Sequence, residues 1–516
     1  MTSRWIALAL GIVLAGSAGA APGDKVDVVR DLAARVGPVV GAALACPDIA
    51  RPRIRAIVNK FAAVIKEASS NETERTGLTE QLDRTVADGR NAVTAGQMDC
   101  GSADRQLADL ERSLGGPVSP GATAQAGTSP IAAAPAATAP TASAVRGVTD
   151  KEIRFGISAP FSGPAKELGR QMKLGIDTAF SRVNEAGGVD GRMLRLIAAD
   201  DGYEPTRTAE TMKQLYEKDQ VFGIIGNVGT PTAAVAVPYA LERKLLFFGA
   251  FTGANVLRRD PPDRYVFNYR ASYSEETDAV MRYLVKVRRI QPKQIAVFAQ
   301  EDAYGDAGFA GVTKAMRALN PRDSTVLRLN YKRNTVDVDD AINQLRASKT
   351  PIKAVVMVAT YRAAAKFIEK THTSYPGLIY TNVSFVGSTA LADELMLLGS
   401  RYATGVIVTQ VVPAVSGYSS AILEYKAALA KYFPGEAPDY VSLEGYVAAN
   451  LLIQALKRAG PQLDTEKLVD TLESMSGVDM GLGASLSFGR SEHQASHKIW
   501  GTALDETGKY QAIELD

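Results

Sequence analysis

The stretch KEIRFGISAPFSGPAKELGRQMKLGIDTAFSRVNEAGGVDGRMLRLIAADD, residues 151–201, decides the fold. Within it, Ile153-Arg154-Phe155-Gly156-Ile157-Ser158 alternates with the period of two that lays one face of a strand on a core. Leu168, Met172, Ile176, Phe180 and Val183 then recur at helical spacing, and Gly187-Gly188 stops that helix. Leu194 to Ala198 reads as the next strand. Strand, helix and strand in succession make a crossover, and a crossover implies parallel pairing.

The unit repeats toward the C-terminus. A helix over about Thr206 to Lys218 leads to a buried-type strand at Val221 to Gly226, a helix from about Thr232 and a strand at Leu245 to Ala250. After Tyr265 to Tyr269, strands are predicted at Ile295 to Ala299, Val326 to Tyr331, Ala354 to Ala359, Leu378 to Thr381 and Val406 to Val411, with helices between. So long an alternation exceeds a single sheet, so two doubly wound α/β lobes side by side are expected. From about Ser485 the chain turns strand-rich, at Leu486 to Phe488, Ile499 to Ala503 and Tyr510 to Ile513.

Toward the N-terminus the pattern breaks. Residues 116–148 are dominated by Ala, Pro, Thr, Ser and Gly, too little bulky apolar surface to offset chain entropy, and read as a linker. Residues 24–115 read as a small all-α domain. Ile54, Ile57, Val58, Phe61, Val64 and Ile65 form one apolar stripe; Leu78, Leu82, Val86 and Val93 form a second; Leu107, Leu110 and Leu114 begin a third. Residues 1–20 carry Arg4, the apolar run Trp5 to Leu14 and small residues at Ala18-Gly19-Ala20, the signature of a cleaved secretory signal; a short buried helix or anchor is the competing reading. No cysteine lies near that site to carry a lipid.

Cys46 and Cys100 are the two cysteines. In an exported chain an even count favours a disulfide, with two free structural thiols as the alternative. The bridge closes a loop of about 55 residues around a thin helical core, where chain-entropy reasoning assigns it roughly 4 kcal/mol. The whole chain has 516 residues, 46% of them hydrophobic and 22% charged, and 58 basic side chains against 56 acidic ones leave a formal charge of +2. That balance gives no electrostatic case for nucleic acid or an anionic membrane surface.

In open α/β sheets ligands bind beyond the carboxyl ends of the strands, so the residues just after each strand carry the information. They are small and hydroxylic. Asn227-Val228-Gly229-Thr230-Pro231-Thr232 follows the Val221 strand, where Gly229 admits a close backbone approach and Thr230 and Thr232 suit a helix start that attracts a carboxylate. Ala250-Phe251-Thr252-Gly253 repeats the arrangement after the Leu245 strand. Each alone reads better as an ordinary N-cap turn; two after adjacent strands point to a site. Tyr273, Tyr304 and Tyr361 follow later strands and suit pocket walls with a polar handle, or ordinary half-buried packing.

Residues 151 to about 510 resemble the periplasmic binding proteins of ABC importers, in the leucine/isoleucine/valine-binding family. The resemblance is carried by Phe161-Ser162-Gly163-Pro164, the run Asn184-Glu185-Ala186-Gly187-Gly188-Val189-Asp190-Gly191, Asp200-Asp201, the Gly226 to Thr232 turn and Ala303-Tyr304-Gly305. It implies a two-lobed type I periplasmic-binding fold over residues 149–516, with one lobe at about 151–271 and 413–480 and the other at about 272–412 and 481–516. It also implies that Thr230 holds a ligand carboxylate with help from Ala250 and Thr252, that Tyr304 closes over the ligand from the second lobe, and that Tyr361 joins it. The partners it implies are a small-molecule ligand and an ABC permease; it says nothing of a protein partner for the helical domain.

One departure bears on the ligand. Amino-acid binders of this family place acidic groups near the positions of Tyr273 and Thr389 to hold the ligand ammonium, and neither residue is acidic here. A buried ammonium without a carboxylate is costly, so a carboxylate without an α-amino group, an aromatic acid or a more apolar ligand becomes plausible. Arg270 would pair with such an anion, unless it is a solvated surface arginine.

Enzyme readings find little support in the residues. No Gly-x-Ser-x-Gly elbow, phosphate-binding loop or dinucleotide glycine triplet occurs. Asp200 and Asp201 are adjacent in a strand and point to opposite faces, a poor acid pair. His493 and His497 are four apart but sit in a polar connection with no third ligand, so no metal and no cofactor is expected. The expectation is a periplasmic solute-binding protein with no catalytic residues. An envelope sensor or scaffold acting through the helical domain is the alternative.

Overall fold

The computed structural model describes residues 22–46, 48–113, 145–322 and 325–515. The expected signal segment, 1–20, and most of the expected linker, 116–148, lie outside the described residues. The chain divides into two compact units, Met1–Pro140 and Thr141–Asp516. Among the described residues no helix is long and apolar enough to cross a membrane.

Among its described residues the first unit contains four helices where the sequence shows three stripes: α1 (Pro22–Ala45), α2 (Arg51–Ala68), α3 (Glu72–Thr94) and α4 (Cys100–Ser113). The helix without a quoted stripe, α1, buries Val26, Val29, Leu32, Val36 and Val40, and it packs most intimately on α3. A Cβ on Gly37 would stand 1.9 Å from Thr85 Oγ1, and one on Gly41 would stand 2.0 Å from the Val86 carbonyl oxygen. Glycine there lets two backbones come as close as they do. The Thr85 hydroxyl donates to the Ala33 carbonyl across the same seam (3.1 Å). Arg53 of α2 forks onto Glu111 of α4 at 2.9 and 2.8 Å and reaches Asp104 at 2.6 Å. The Cys46–Cys100 disulfide ties the end of α1 to the first residue of α4, with a Cα–Cα distance of 5.5 Å.

The second unit opens with β1 (Glu152–Ala159), α5 (Lys166–Glu185), β2 (Met193–Asp200), α6 (Pro205–Lys213), β3 (Gly223–Ile225), α7 (Thr230–Glu242), β4 (Leu246–Phe248) and β5 (Val266–Phe267). These five strands make a parallel sheet in the order β2-β1-β3-β4-β5. Next come α8 (Tyr273–Arg282), β6 (Ile295–Gln300), α9 (Ala303–Leu319), β7 (Leu327–Tyr331), α10 (Asp339–Ala347), β8 (Ala354–Val358), α11 (Tyr361–Thr371), β9 (Ile379–Asn382), α12 (Ser388–Leu398), α13 (Ser400–Ala403) and β10 (Ile407–Gln410). Their strands repeat the same order as β7-β6-β8-β9-β10.

The chain then returns to the first lobe. Of α14 (Ser420–Tyr432), α15 (Tyr440–Ala459) and α16 (Thr465–Glu473), α15 packs against α5: a Cβ on Gly175 would meet the Ser442 carbonyl at 1.8 Å. A short hairpin, β11 (Val478–Asp479) and β12 (Ser485–Leu486), precedes β13 (Trp500–Leu504) and β14 (Tyr510–Ile513). The last two add antiparallel to β10, so the second sheet is mixed rather than wholly parallel as expected.

The third crossover between lobes lies later than the expected boundary near 480. Phe488 packs edge-on against Phe248 and Phe267, at 6.2 and 5.3 Å between ring centres, and Asn268 bridges to Gln494. Residues 481–494 thus belong with the first lobe, because their apolar side chains complete the outer edge of its sheet.

Replacing both Cys46 and Cys100 with serine is expected to destabilise the helical unit by roughly 4 kcal/mol. Calorimetry of the double variant checks this, with the unfolding of residues 141–516 expected to be unchanged.

Candidate functional site

Both sheets change direction at an equivalent place, between β1 and β3 in one lobe and between β6 and β8 in the other. At such a switch point the loops after adjacent strands part and leave a crevice. The turns after β3 and β4 line it on one side, and those after β6, β8 and β9 on the other.

The first-lobe turns are zipped together. Phe251 donates its N–H to the Asn227 carbonyl (2.7 Å), and Gly229 donates to the Phe251 carbonyl (3.2 Å). Gly229 has φ 108°, and a Cβ there would stand 2.3 Å from the Tyr203 ring, so only glycine fits. Thr230 begins α7, and its hydroxyl lies 2.7 Å from that of Thr252, both buried. Ala250 turns its methyl into the apolar layer behind the sheet, which leaves only its main chain for a ligand.

Five buried rings meet across the crevice. Phe251 stacks on Phe385 at 5.1 Å, Tyr203 lies 6.1 Å from Phe385, Tyr304 lies 4.6 Å from Phe385, and Tyr273 lies 5.5 Å from Tyr304. Tyr203 and Phe251 come from the first lobe and the other three from the second. Sequence reasoning named Tyr273 and Tyr304 but missed Tyr203 and Phe385. Tyr203 is held at φ 62° by donating its N–H to Asp201 (2.9 Å), a turn that the run Asp200-Asp201-Gly202-Tyr203 signals in retrospect. Phe385 sits in a single short turn after β9 and carries no periodic signal.

Two candidates stand apart from these rings. Tyr361 is buried near Gly387, whose Cβ would meet Leu168 at 2.6 Å and Tyr361 at 3.6 Å, at another contact between lobes. Thr389 is half-buried beside Asp439.

Arg270 is not a surface arginine. It is fully buried on the first crossover between lobes, its guanidinium 5.1 Å from the Phe251 ring centre and 5.7 Å from that of Tyr273. Its Nη2 donates to Glu276 (2.8 Å) and to Ser384, and its Nη1 lies 3.6 Å from Glu444. Glu276, on α8, also accepts from the Ser384 N–H (2.8 Å) and the Thr409 hydroxyl. Glu444, on α15, has its carboxyl pushed up to about 7 because burial outweighs the attraction of Arg270. Although neither Tyr273 nor Thr389 is acidic, two carboxylates reach the cleft, one turn beyond Tyr273 and from α15, and a protein guanidinium already lies between them.

Asp200 and Asp201 also part company. Burial raises Asp201 to about 6 against its bonds from Tyr203, Ser158 and Thr208. Asp200 is held down at about 2, where bonds from Ser162, Phe161, Gly202 and Arg207 outweigh its own burial. Both brace the loop that presents Tyr203. His493 stacks on Phe267 at 3.9 Å, while His497 turns to Glu275 at 2.6 Å, so the two do not converge. A cavity of about 860 Å³ opens on the crossover side, lined by Arg258, Asn268, Glu275, Lys314 and His497 rather than by the ring cluster.

Polar contacts hold the lobes together at the rim. Arg333 bridges Glu204 of the first lobe and Asp302 of the second, each at 2.9 Å. Asn334 donates to Glu204 (2.6 Å) and to the Gly202 carbonyl (3.1 Å). Gln300 donates to the Tyr203 hydroxyl at 3.0 Å.

The family model for periplasmic binding proteins matches residues 152–509. The Leu/Ile/Val-binding protein homolog 3 of Brucella melitensis is 26% identical over 344 residues, which cover 64% of this chain and 86% of that protein. The crystal structure of a possible leucine/isoleucine/valine-binding protein from Rhodopirellula baltica superposes with a TM-score of 0.68 at 38% identity, covering 73% of this chain and 99% of that one. A fatty acid ABC transporter substrate-binding protein from Thermomonospora curvata shares the fold at 21% identity, with a TM-score of 0.64 over 72% of this chain and 93% of that one.

Two outcomes are expected. Arg333→Ala removes a partly exposed latch worth about 1 kcal/mol, so small-angle scattering should show a shift toward the open form of about fivefold. Glu444 binds its proton more tightly folded than unfolded, so its contribution to stability is greatest below about 4.5 and is lost as pH rises through about 7. Arg270, Arg258 and Glu276 share its surroundings. Glu444→Gln escapes that loss, and thermal melts should show its advantage over the parent growing from about pH 5 to pH 8.

Proposed function

Because the chain belongs to the periplasmic binding protein family, we propose that its two lobes close over a small organic ligand bearing a carboxylate, for import by an ABC permease of the inner membrane. The observation that carries this reading is the buried hydroxyl pair of Thr230, at the start of α7, and Thr252, with Tyr273 of the second lobe beside Thr252. Hydroxyls beside unpaired helix N–H groups suit a carboxylate, and rings suit an apolar body. In this reading Thr230, Thr252 and the main chain of Gly229 and Ala250 take the carboxylate. Tyr273 and Tyr304 cover the body, and Arg270, against Phe251 and Tyr273, faces the atoms beside the carboxylate, with Tyr361 and Thr389 at the border. Closure follows from contacts made by both lobes at once. The protein works in the periplasm after loss of residues 1–20, and it catalyses nothing.

The fold alone does not choose the ligand, since relatives that share it are named for amino acids and for a fatty acid. A second reading is favoured by the helical unit, which lies outside the matched residues 152–509. In that reading the lobes report their ligand to another envelope protein docked on residues 24–115. Uptake lost on deletion of the protein supports import; uptake retained with a lost ligand response supports the sensor.

Mass spectrometry of small molecules released from the denatured protein is expected to yield a carboxylic acid. Thr230→Ala and Thr252→Ala should each weaken its binding about tenfold or more, the usual cost of a hydrogen bond to a charged group, while the ligand-free protein stays folded with a modestly lowered Tm. Unaltered affinity in both variants would refute the assignment.

A further inference from the structure

The charged groups at the base of the cleft are arranged as a holder that is already filled. Arg270, Glu276 and Glu444 are buried together, with side-chain exposures of 0%, 0% and 3%. Glu276 approaches from the second lobe and Glu444 from the first, and the guanidinium lies between them against Phe251 and Tyr273 of the ring cluster. A second cation stands close by: Arg258 donates to the Arg270 carbonyl (2.9 Å), and burial together with Arg270 lowers it to about 10. Glu276 and Glu444 thus face Arg270, and Glu275, itself paired with His497, faces Arg258, so no carboxylate there lacks a cation. Meanwhile Arg270 Nε makes no hydrogen bond and Nη1 has only the long contact to Glu444, so donors, not acceptors, remain unfilled there.

We propose that Arg270 is a specificity-determining residue that occupies the place of a ligand ammonium, so that the cleft takes carboxylic acids carrying a hydrogen-bond acceptor beside the carboxylate, such as 2-oxo acids, and rejects α-amino acids. The inference rests on the reading that the cleft holds a carboxylate. An ammonium entering here meets two guanidiniums and finds both carboxylates engaged, whereas a carbonyl oxygen meets the open donors of Arg270. Desolvating the ammonium without a partner adds to the penalty.

Matched pairs of probes test this by titration calorimetry: leucine against 4-methyl-2-oxopentanoate, and phenylalanine against phenylpyruvate. The wild-type protein is expected to bind an oxo acid at least tenfold more tightly than its amino acid, and Arg270→Lys, which keeps the cation, to retain that order. Arg270→Met frees the two carboxylates and should reverse the preference. Equal or tighter binding of the amino acids by the wild-type protein would overturn the inference whether or not Arg270→Met folds, and leave the carboxylate site standing. If no probe of either class binds the wild-type protein, the carboxylate reading falls and the inference falls with it.

Discussion

Parallel strands cannot be joined by tight turns, and that constraint organises the binding unit. Each strand must be followed by a helix that carries the chain back across the sheet. All strand ends of one polarity, and all the helix starts that follow them, therefore gather along one edge. Because both lobes use the same order about their switch points, each builds an equivalent edge. Where these edges meet, the turns supply hydroxyls, glycine backbone and rings, while the sheets behind them stay apolar. Thr230, after β3, and Tyr304, after β6, each stand beside the switch point of their own lobe for this reason.

The contacts that close the cleft divide by physical type. Five rings from both lobes exclude water with little rotamer entropy to lose, and they set the shape of the space. Arg333 with Glu204 and Asp302 sits at the rim, partly exposed, where charge pairs contribute modestly and are screened. Arg270 with Glu276 and Glu444 lies beneath the rings, where a lone charge is not tolerated. Burial favours the arrangement in which one carboxylate balances the guanidinium, and the second carboxyl group, on Glu444, accordingly titrates high. Since Arg270 stands on a crossover and its partners come from different lobes, the charge balance and the hinge are built from the same residues.

Much of the module was legible in advance. Strand and helix periods are local properties, so β1, α5 and β2 could be read from residues 151–201, and the strand ends that carry Gly229, Thr230, Thr252 and Tyr304 followed from them. The Cys46–Cys100 bridge was legible from parity and compartment. Helix α1 does carry a stripe, with Val26, Val29, Val36 and Val40 buried at helical spacing, and glycines set its close approach to α3. What else escaped had no local signature. Phe385 lies in a turn too short to show a period. Glu276 and Glu444 read as ordinary helix acids, since nothing in their own segments shows that they are buried.

By itself the sequence determined the fold class, the repeated crossovers and the side of each sheet on which a ligand could sit, because these depend on residue periods and turn chemistry within a few residues of one another. Only the tertiary structure decided which side chains meet: that Arg270 is buried, that residues 276 and 444, 168 apart in the chain, lend it their carboxylates, and that residues 481–494 complete the first lobe. Those outcomes depend on contacts between distant segments, and desolvation, which sets the cost of every buried charge, exists only once those segments are packed together.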